Sequence, residues 1–187
     1  MKKILILLLK LIGALFIVGA IAVFAIIIKY RLELPNLQSM VEDYKPQMAT
    51  IIYDKNNNVV DTLSVEAREV VKLEDVSPYV KDAFLAIEDK QFYSHHGLNF
   101  KGIARAVITT FLKGRATQGG SSITQQLAKN AFLTPEKTFS RKVKEAILTY
   151  QIERTYTKDE ILERYLNEIY YGSGSYGIKN AAEQYFR

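Results

Sequence analysis

Hydrophobic and polar residues divide the chain into three parts, the first of which is an apolar run near the N-terminus. Residues 11–28 contain no charged or strongly polar side chain, and the apolar residues 4–9 precede them behind Lys10. As a helix, residues 11–28 extend about 27 Å, enough to cross most of the hydrocarbon core of a bilayer. The run therefore predicts one membrane span. A cleaved signal peptide is the alternative, but the run is longer than the apolar region of such peptides and no small-residue cleavage site precedes Lys29.

The second part contains two short apolar segments separated by a polar turn. Residues 49–53 and 59–63 flank Asp54–Asn58, a turn rich in residues that tolerate positive φ. This pattern predicts a β-hairpin, and Val70-Val71 is expected to add a third strand. Residues 32–45 are predicted to form a polar, partly helical connector between the span and the hairpin.

In the third part, from Ser77 onward, apolar residues recur at helical spacing. Ser122 with Gln125, and Thr157 with Glu160, have the spacing of capping boxes and mark two helix starts. Helices are predicted after Ser77-Pro78, over 100–112, from Ser121 or Ser122 through 131, over 139–155, from Thr157 to a stop at Gly172, and over 181–187. The loop 113–120 is predicted to be mobile. The predicted fold class is therefore mainly α.

The charge of the chain is uneven, which removes the compositional argument for nucleic-acid binding. The formal net charge is +5, from 25 basic and 20 acidic residues. Residues 1–31 hold five of the basic residues and none of the acidic ones, so the remainder is balanced. No nucleic-acid-binding signature replaces that argument, and nucleic acid is not an expected partner. The absence of cysteine excludes disulfides and thiolate metal sites.

The first candidate site is the segment around Glu88. On a continuous helix, Phe84, Glu88 and Phe92 share one face, which places a carboxyl group among apolar side chains. A carboxyl group shielded from water in this way is suited to proton transfer. The alternative is a Glu88 side chain that reaches solvent or pairs with a cation. His95, one of only two histidines, is expected to fix the following loop by hydrogen bonding rather than to bind a metal.

The second candidate site is the glycine-rich segment 119–126, which leads into a helix. Free backbone N–H groups at a helix start, together with the hydroxyl groups of Ser121, Ser122 and Thr124, suit a phosphate group. An ordinary capped helix is the alternative. A nucleotide-binding P-loop is excluded, because Gly120 stands where that motif needs lysine.

Arg141, Lys142 and Glu145 form the third candidate site. On a helix, both cations lie within about one turn of the same carboxylate. The functional interpretation is a cationic clamp for a diphosphate, and the alternative is a surface ion pair. A fourth pair, Glu163 and Asn167, has i,i+4 spacing and by itself favours a scaffold role.

Four motifs occur in order along residues 77–187. They are Glu88-Asp89-x-x-Phe92-x-x-His95-x-Gly97, Gly119-x-Ser-Ser-Ile-Thr-Gln-Gln126, Arg141-Lys142-x-x-Glu145 and Ile161-Leu-Glu-x-Tyr-Leu-Asn167. Together they resemble the peptidoglycan glycosyltransferases of glycosyltransferase family 51, the polymerase domains of class A penicillin-binding proteins and of the monofunctional transglycosylases.

The resemblance implies a lysozyme-like helical domain that polymerises lipid II into glycan strands by inverting glycosyl transfer, with release of undecaprenyl diphosphate. It implies that Glu88 is the general base for the acceptor hydroxyl. Glu145 is implied to stabilise the diphosphate, directly or through a divalent cation such as Mg²⁺ or Mn²⁺, and no organic cofactor is implied. The implied substrate-binding residues are Asp89, Phe92, His95, Ser121, Thr124, Gln125, Lys129, Arg141 and Lys142.

The same resemblance implies a domain organisation and a location. Residues 1–31 would be a cytoplasmic tip and transmembrane anchor, 32–76 a linker with a β-hairpin, and 77–187 a glycosyltransferase domain that stops before its last helices. The implied location is a bacterial cell membrane, crossed once, with the catalytic domain outside, and the small excess of basic residues before the span favours a cytoplasmic N-terminus. The implied partners are lipid II, the growing glycan strand, the membrane and other cell-wall synthesis proteins.

The chain departs from the family pattern in a few places. Ser122 replaces the usual threonine, Arg187 replaces the usual glycine, and no transpeptidase motif occurs. We therefore expect an N-terminal part of a longer protein, and its activity by itself is left open. Two other functions remain open at this point: a lysozyme-like peptidoglycan hydrolase, and a non-catalytic membrane module that binds lipid II or partner proteins.

Overall fold

The computed structural model describes residues 2–35, 39, 50–57, 59–63, 69–113 and 120–186. Its helices are α1 (Lys2–Glu33), α2 (Pro78–Glu88), α3 (Phe100–Lys113), α4 (Ile123–Phe132), α5 (Phe139–Thr155), α6 (Lys158–Glu168) and α7 (Ile178–Phe186). Two strands, β1 (Thr50–Tyr53) and β2 (Val59–Leu63), and two 3₁₀ turns, Leu73–Asp75 and Phe92–Ser94, accompany them. The predicted mainly α class is confirmed. Most of the predicted connector, part of the hairpin turn, the loop over 114–119 and Arg187 lie outside the described residues.

α1 contains the predicted membrane span. Its segment Ile6–Glu33 is long and apolar enough to cross a membrane, and its apolar side chains are exposed rather than packed against the rest of the chain. The C-terminal end of α1 docks on α5, where Lys144 forms a 2.9 Å ion pair with Glu33 and lies 5.7 Å from the centre of the Tyr30 ring. α1 is thereby fixed to the helix that carries the third predicted motif.

β1 and β2 form the predicted hairpin, an antiparallel pair in which Thr50 faces Leu63 and Ile52 faces Asp61. The predicted third strand at Val70-Val71 is wrong, because both residues lie outside any strand.

The segment around Val71 is instead held by side chains of α6. Asn167 Oδ1 accepts a hydrogen bond from the Val71 N–H at 3.0 Å, and Asn167 Nδ2 donates to the Val71 carbonyl at 2.8 Å. Glu163 Oε2 accepts from the Leu73 N–H at 2.7 Å. These side chains satisfy backbone groups that a sheet would otherwise satisfy. Glu163 and Asn167 therefore clamp the incoming linker to the helical domain, which is a scaffold role.

The core forms where α4 packs against α5 and α6. The apolar faces predicted from helical spacing supply its fully buried side chains, which include Ile123, Leu127, Leu148, Ile152, Ile161, Leu162, Tyr165 and Leu166. Both predicted capping boxes are present, Ser122 with Gln125 on α4 and Thr157 with Glu160 on α6. The caps determine where the two helices begin. The packing of α4 on α5 and α6 determines which neighbouring residues the first turn of α4 contacts.

The loop between α6 and α7 begins and ends earlier in the sequence than predicted. α6 ends at Glu168 rather than at Gly172, and α7 begins at Ile178 rather than at 181. Gly172, Ser173 and Gly174 have φ angles of 93°, 49° and 78°, so the chain reverses direction over three residues. This loop borders the groove that holds the candidate site.

Candidate active site

A groove of about 1110 Å³ lies between the end of α2, the helices α4, α5 and α6, and the loop after α6. Six of the predicted site residues line it: Glu88, Ser121, Lys129, Arg141, Lys142 and Glu145. The structure thus brings together residues from three separate motifs. Glu88 and Glu145 both line this space, and Ser121 at the start of α4 is joined to the second through Lys142.

Glu88 lies in the groove, but its predicted apolar surroundings are wrong. α2 ends at Glu88, and Phe92 belongs to the following 3₁₀ turn, so the two residues do not share a helix face. The Glu88 side chain is exposed, whereas Phe92 is buried. Gln126 Nε2 donates a 2.7 Å hydrogen bond to Glu88 Oε2. Glu88 is therefore a solvent-accessible carboxylate oriented by an amide.

Asp89 ends α2 and connects it to the start of α4. Its buried carboxylate forms a 2.7 Å hydrogen bond with His95 Nε2 and accepts from the Ile123 N–H at 3.3 Å. A carboxylate at this place satisfies a free N–H of the first turn of α4 and complements its dipole. Asp89, Phe92 and His95 do not line the groove. Asp89 and Phe92 are buried outside its lining, and His95 makes a hydrogen bond that holds its loop, as expected.

Glu145 is buried and surrounded by donors. Arg141 Nη1 donates to Glu145 Oε2 at 2.9 Å, and the Lys142 ammonium makes a close ion pair with Oε1. Lys142 Nζ also donates to Ser121 Oγ at 3.0 Å, which joins α5 to the start of α4. Two cations next to one carboxylate leave this part of the groove with net positive charge, which suits a diphosphate.

Thr124 and Gln125 do not line the groove, although both are in the predicted substrate-binding set. Thr124 is buried, and its hydroxyl donates to Glu153 Oε1 at 2.5 Å. Gln125 Nε2 donates to Glu145 Oε1 at 3.2 Å, while Gln125 Oε1 accepts from the Ser122 N–H. The two side chains face the interior because α4 packs on α5 along that side. Gln125 therefore reaches the site only through Glu145.

Several groove residues were missed by sequence reasoning. Tyr165 and Gln126 line the groove, and Tyr165 Oη donates to Gln126 Oε1 at 3.4 Å. Burial raises the pKa of Tyr165, and the negative charge of Glu88 raises that pKa further. Gln126 stands in a recognised motif, but nothing in its spacing indicates Glu88 as its partner.

Glu168 is a second missed residue of the groove. It is buried at the end of α6, and this desolvation raises its pKa from 4.5 to about 7. A sequence signal was available, because Glu168 follows Tyr165 by three residues and therefore lies on the apolar face of α6. An acidic residue on such a face is uncommon.

The described residues do not fit the divalent cation that the family resemblance suggests. No cluster of three histidine or acidic side chains occurs among the residues that the structure describes. Both oxygens of Glu145 already accept from cationic side chains, and a divalent ion bound there would lie against Arg141 and Lys142. A cation at Glu145 therefore stays a prediction.

Comparison with known proteins identifies the family. The family model described as Transglycosylase matches residues 56–187. This match covers more than half of the chain, so the chain belongs to the transglycosylase family, whose domain is a lysozyme-like helical fold.

Three curated relatives agree with this assignment. Penicillin-binding protein 1A of Neisseria flavescens is 45% identical over 173 residues, which are 92% of this chain and 21% of the relative. Penicillin-binding protein 1A of Aquifex aeolicus (strain VF5) is 44% identical over 186 residues, or 100% of this chain and 25% of the relative. Penicillin-binding protein 1F of Bacillus subtilis (strain 168) is 50% identical over 135 residues, or 72% of this chain and 19% of the relative. The chain thus spans a quarter or less of the length of these relatives.

Proposed function

We propose that this chain is a peptidoglycan glycosyltransferase that polymerises lipid II into glycan strands and releases undecaprenyl diphosphate. One observation carries the proposal: Glu88 and Glu145 line one groove, and Arg141, Lys142 and the Ser121 hydroxyl lie on the Glu145 side. Family membership supports the reaction class.

In this proposal Glu88 is the general base. A Glu88 oxygen takes the proton of the 4-hydroxyl group of the acceptor sugar as the hydroxyl oxygen attacks the anomeric carbon of the donor. The new carbon–oxygen bond forms on the face opposite the diphosphate, so the configuration inverts. The bond between the anomeric carbon and the diphosphate oxygen breaks, and its electron pair leaves with the diphosphate. Gln126 keeps one Glu88 oxygen fixed during this step.

The clamp around Glu145 receives the leaving group. Arg141, Lys142 and Lys129 supply positive charge where negative charge develops on the diphosphate, and Ser121 supplies a hydroxyl donor. Glu145 holds the two cations of α5 in place through its buried carboxylate. Because diphosphate is already a good leaving group, the reaction needs no strong general acid on that side.

The anchor gives the reaction its location. α1 is long and apolar enough to span a membrane, and its end is fixed to α5 by Lys144. We infer that the groove thereby stays close to the bilayer, where a lipid-linked substrate is found. The proposal places the N-terminus in the cytoplasm and the groove outside, with lipid II, the glycan strand and other cell-wall synthesis proteins as partners.

Incubation of the detergent-solubilised chain with lipid II, and separately with finished peptidoglycan, tests the function. A polymerase yields glycan strands from lipid II and releases no soluble sugars from finished peptidoglycan, whereas a hydrolase does the reverse. Glu88→Gln keeps the shape of the side chain and removes the base, so turnover should fall by roughly a hundredfold to ten-thousandfold. Glu74→Gln, at an exposed glutamate outside the groove, is the matched control and should keep full activity. Normal polymerisation by Glu88→Gln would contradict the proposal.

A further inference from the structure

Tyr170 and Tyr176 form an aromatic pair in the wall of the groove, and none of the roles described so far uses them. Both side chains line the groove. Their ring centroids are 4.8 Å apart with an angle of 41° between the ring planes, and their backbones form an isolated antiparallel bridge. Tyr170 is 55% exposed. A large aromatic side chain so exposed inside a groove has a face available for a ligand.

The loop that carries the pair is ordered by its own hydrogen bonds. The Ser175 N–H donates to the Gly172 carbonyl at 2.8 Å, and the Tyr171 N–H donates to the Ser175 carbonyl at 2.9 Å. The Gly174 N–H donates to the Tyr170 hydroxyl at 3.2 Å, which holds the ring in place. The ring faces are therefore fixed before a ligand binds, and little conformational entropy is lost on binding.

The pair is close along the chain to the residues that orient Glu88. Tyr165 is on α6, which ends two residues before Tyr170, and it contacts Gln126, which donates to Glu88. The cations of the groove come from α4, from α5 and from the segment between them, whereas the pair comes from the loop after α6. The pair is uncharged, so it does not itself attract the diphosphate.

We propose that Tyr170 and Tyr176 are a stacking platform for a pyranose ring of the glycan substrate. This inference rests on the proposed function, because that function brings amino sugars into the groove. One face of a pyranose ring carries C–H groups with partial positive charge, which complement the negative face of an aromatic ring. An isoprenoid chain is the competing apolar occupant, and the experiment separates the two.

The test uses the detergent-solubilised chain and a soluble probe, the β-1,4-linked tetramer of N-acetylglucosamine. In the unsubstituted protein, saturation of tyrosine ring protons should transfer to ring C–H protons of the sugar. Tyr170→Leu removes the aromatic face and should raise the Kd of the tetramer by roughly fivefold to tenfold. Tyr170→Phe keeps the face but loses the hydrogen bond from Gly174, and its Kd should stay within about twofold of the unsubstituted value. Tyr79→Leu, at an 87% exposed tyrosine outside the groove, should change nothing.

Three outcomes would overturn the platform. The first is the absence of saturation transfer to the sugar, which needs no variant and so does not depend on how well Tyr170→Leu folds. The second is equal weakening by Tyr170→Phe and Tyr170→Leu, which would assign the residue to the loop alone. The third is a Tyr170→Leu protein that binds the tetramer normally but uses lipid II poorly, which would show that the pair contacts the isoprenoid chain instead. Binding of the tetramer is measured without turnover, so a chain that fails to polymerise but shows the predicted binding pattern contradicts only the proposed function.

Discussion

Gln126 holds one oxygen of Glu88: its side-chain Nε2 donates to Glu88 Oε2 over 2.7 Å. The amide is itself oriented, because Tyr165 Oη donates to Gln126 Oε1 at 3.4 Å. An exposed carboxylate without such a partner samples several rotamers. The relationship therefore gives Glu88 a defined orientation although the side chain is accessible to solvent.

We predict that Gln126→Ala lowers kcat by about tenfold, because Glu88 loses its orientation while the cationic clamp stays intact. KM for lipid II should change little. Gln91→Ala, at an exposed glutamine outside the groove, is the matched control. Steady-state polymerisation kinetics measure both constants. A raised KM at unchanged kcat would show instead that Gln126 binds substrate.

Lys142 provides the second prediction, on the cationic clamp. Lys142→Ala removes one of the charges beside Glu145 and the hydrogen bond to Ser121, so KM for lipid II should rise by roughly tenfold. Lys90→Ala removes an exposed lysine outside the groove and should leave KM unchanged. The KM of the unsubstituted protein should also rise with salt more steeply than that of Lys142→Ala. Equal salt dependence of the two proteins would contradict a role for Lys142 in binding the diphosphate.

Glu168 provides a prediction on pH. Burial raises its pKa from 4.5 to about 7 in the folded protein, so the folded state holds this proton more tightly than the unfolded state does. The stability associated with this group is therefore full below about pH 4.5 and is lost as the pH rises toward about 7. The loss should amount to about 1–3 kcal/mol in the free energy of unfolding.

Glu168→Gln removes this titration. Its midpoint of thermal unfolding should fall less between about pH 5 and pH 8 than that of the unsubstituted protein, and at about pH 8 it should be the more stable of the two. Glu74→Gln, at an exposed glutamate, should follow the unsubstituted curve. If the unfolding midpoints of Glu168→Gln and of the unsubstituted protein change with pH in parallel, the pKa of Glu168 is the same in the folded and unfolded states.

Gly97 provides a prediction on stability. Its φ is +82°, and an added Cβ would lie 2.7 Å from Thr149 Cγ2 and 2.9 Å from Glu153 Cγ. Its carbonyl also accepts from the Ser122 hydroxyl at the start of α4. Gly97→Ala should therefore lower the free energy of unfolding by about 3 kcal/mol, from the positive φ and the steric overlap together.

Gly174 is the matched control for Gly97, because its φ is +78° but no atom lies within 4 Å of an added Cβ. Gly174→Ala should lower the free energy of unfolding by about 1 kcal/mol, from the positive φ alone. Thermal unfolding of the two variants measures the difference. Equal losses of stability in the two variants would show that Thr149 and Glu153 of α5 move aside at no energetic cost.

The helical elements were largely predictable, because their signals are local. Helical spacing, the two capping boxes and the residues of α5 are properties of short segments, and α5 begins and ends at the predicted residues. The pairing of Arg141 and Lys142 with Glu145 also lies within one helix, so their spacing alone brings them together. The third strand was not predictable in this way, since Asn167 holds Val71 from a distant part of the chain.

The site was predictable in its residues but less so in their surroundings. Glu88 was expected among apolar groups, yet α2 stops at Glu88 and Asp89 turns toward α4 to satisfy the Ile123 N–H. A helical pattern does not show where the chain leaves the helix in order to make such a contact. Glu168 lay on a predicted face, but only packing of the helices opens that part of α6 to the groove.

The sequence by itself determined the long apolar helix, the other helices, their caps and the cationic pair around Glu145, because each depends on residues that are close together in the sequence. Only the tertiary structure decided which polar side chains of α4 face the groove and which face the interior. Spacing along a helix fixes the relative directions of side chains, but not which neighbour each direction meets. For this reason Ser121 and Gln126 line the groove. Thr124 and Gln125, which lie between them in the sequence, face the interior and bond to Glu153 and Glu145 of α5.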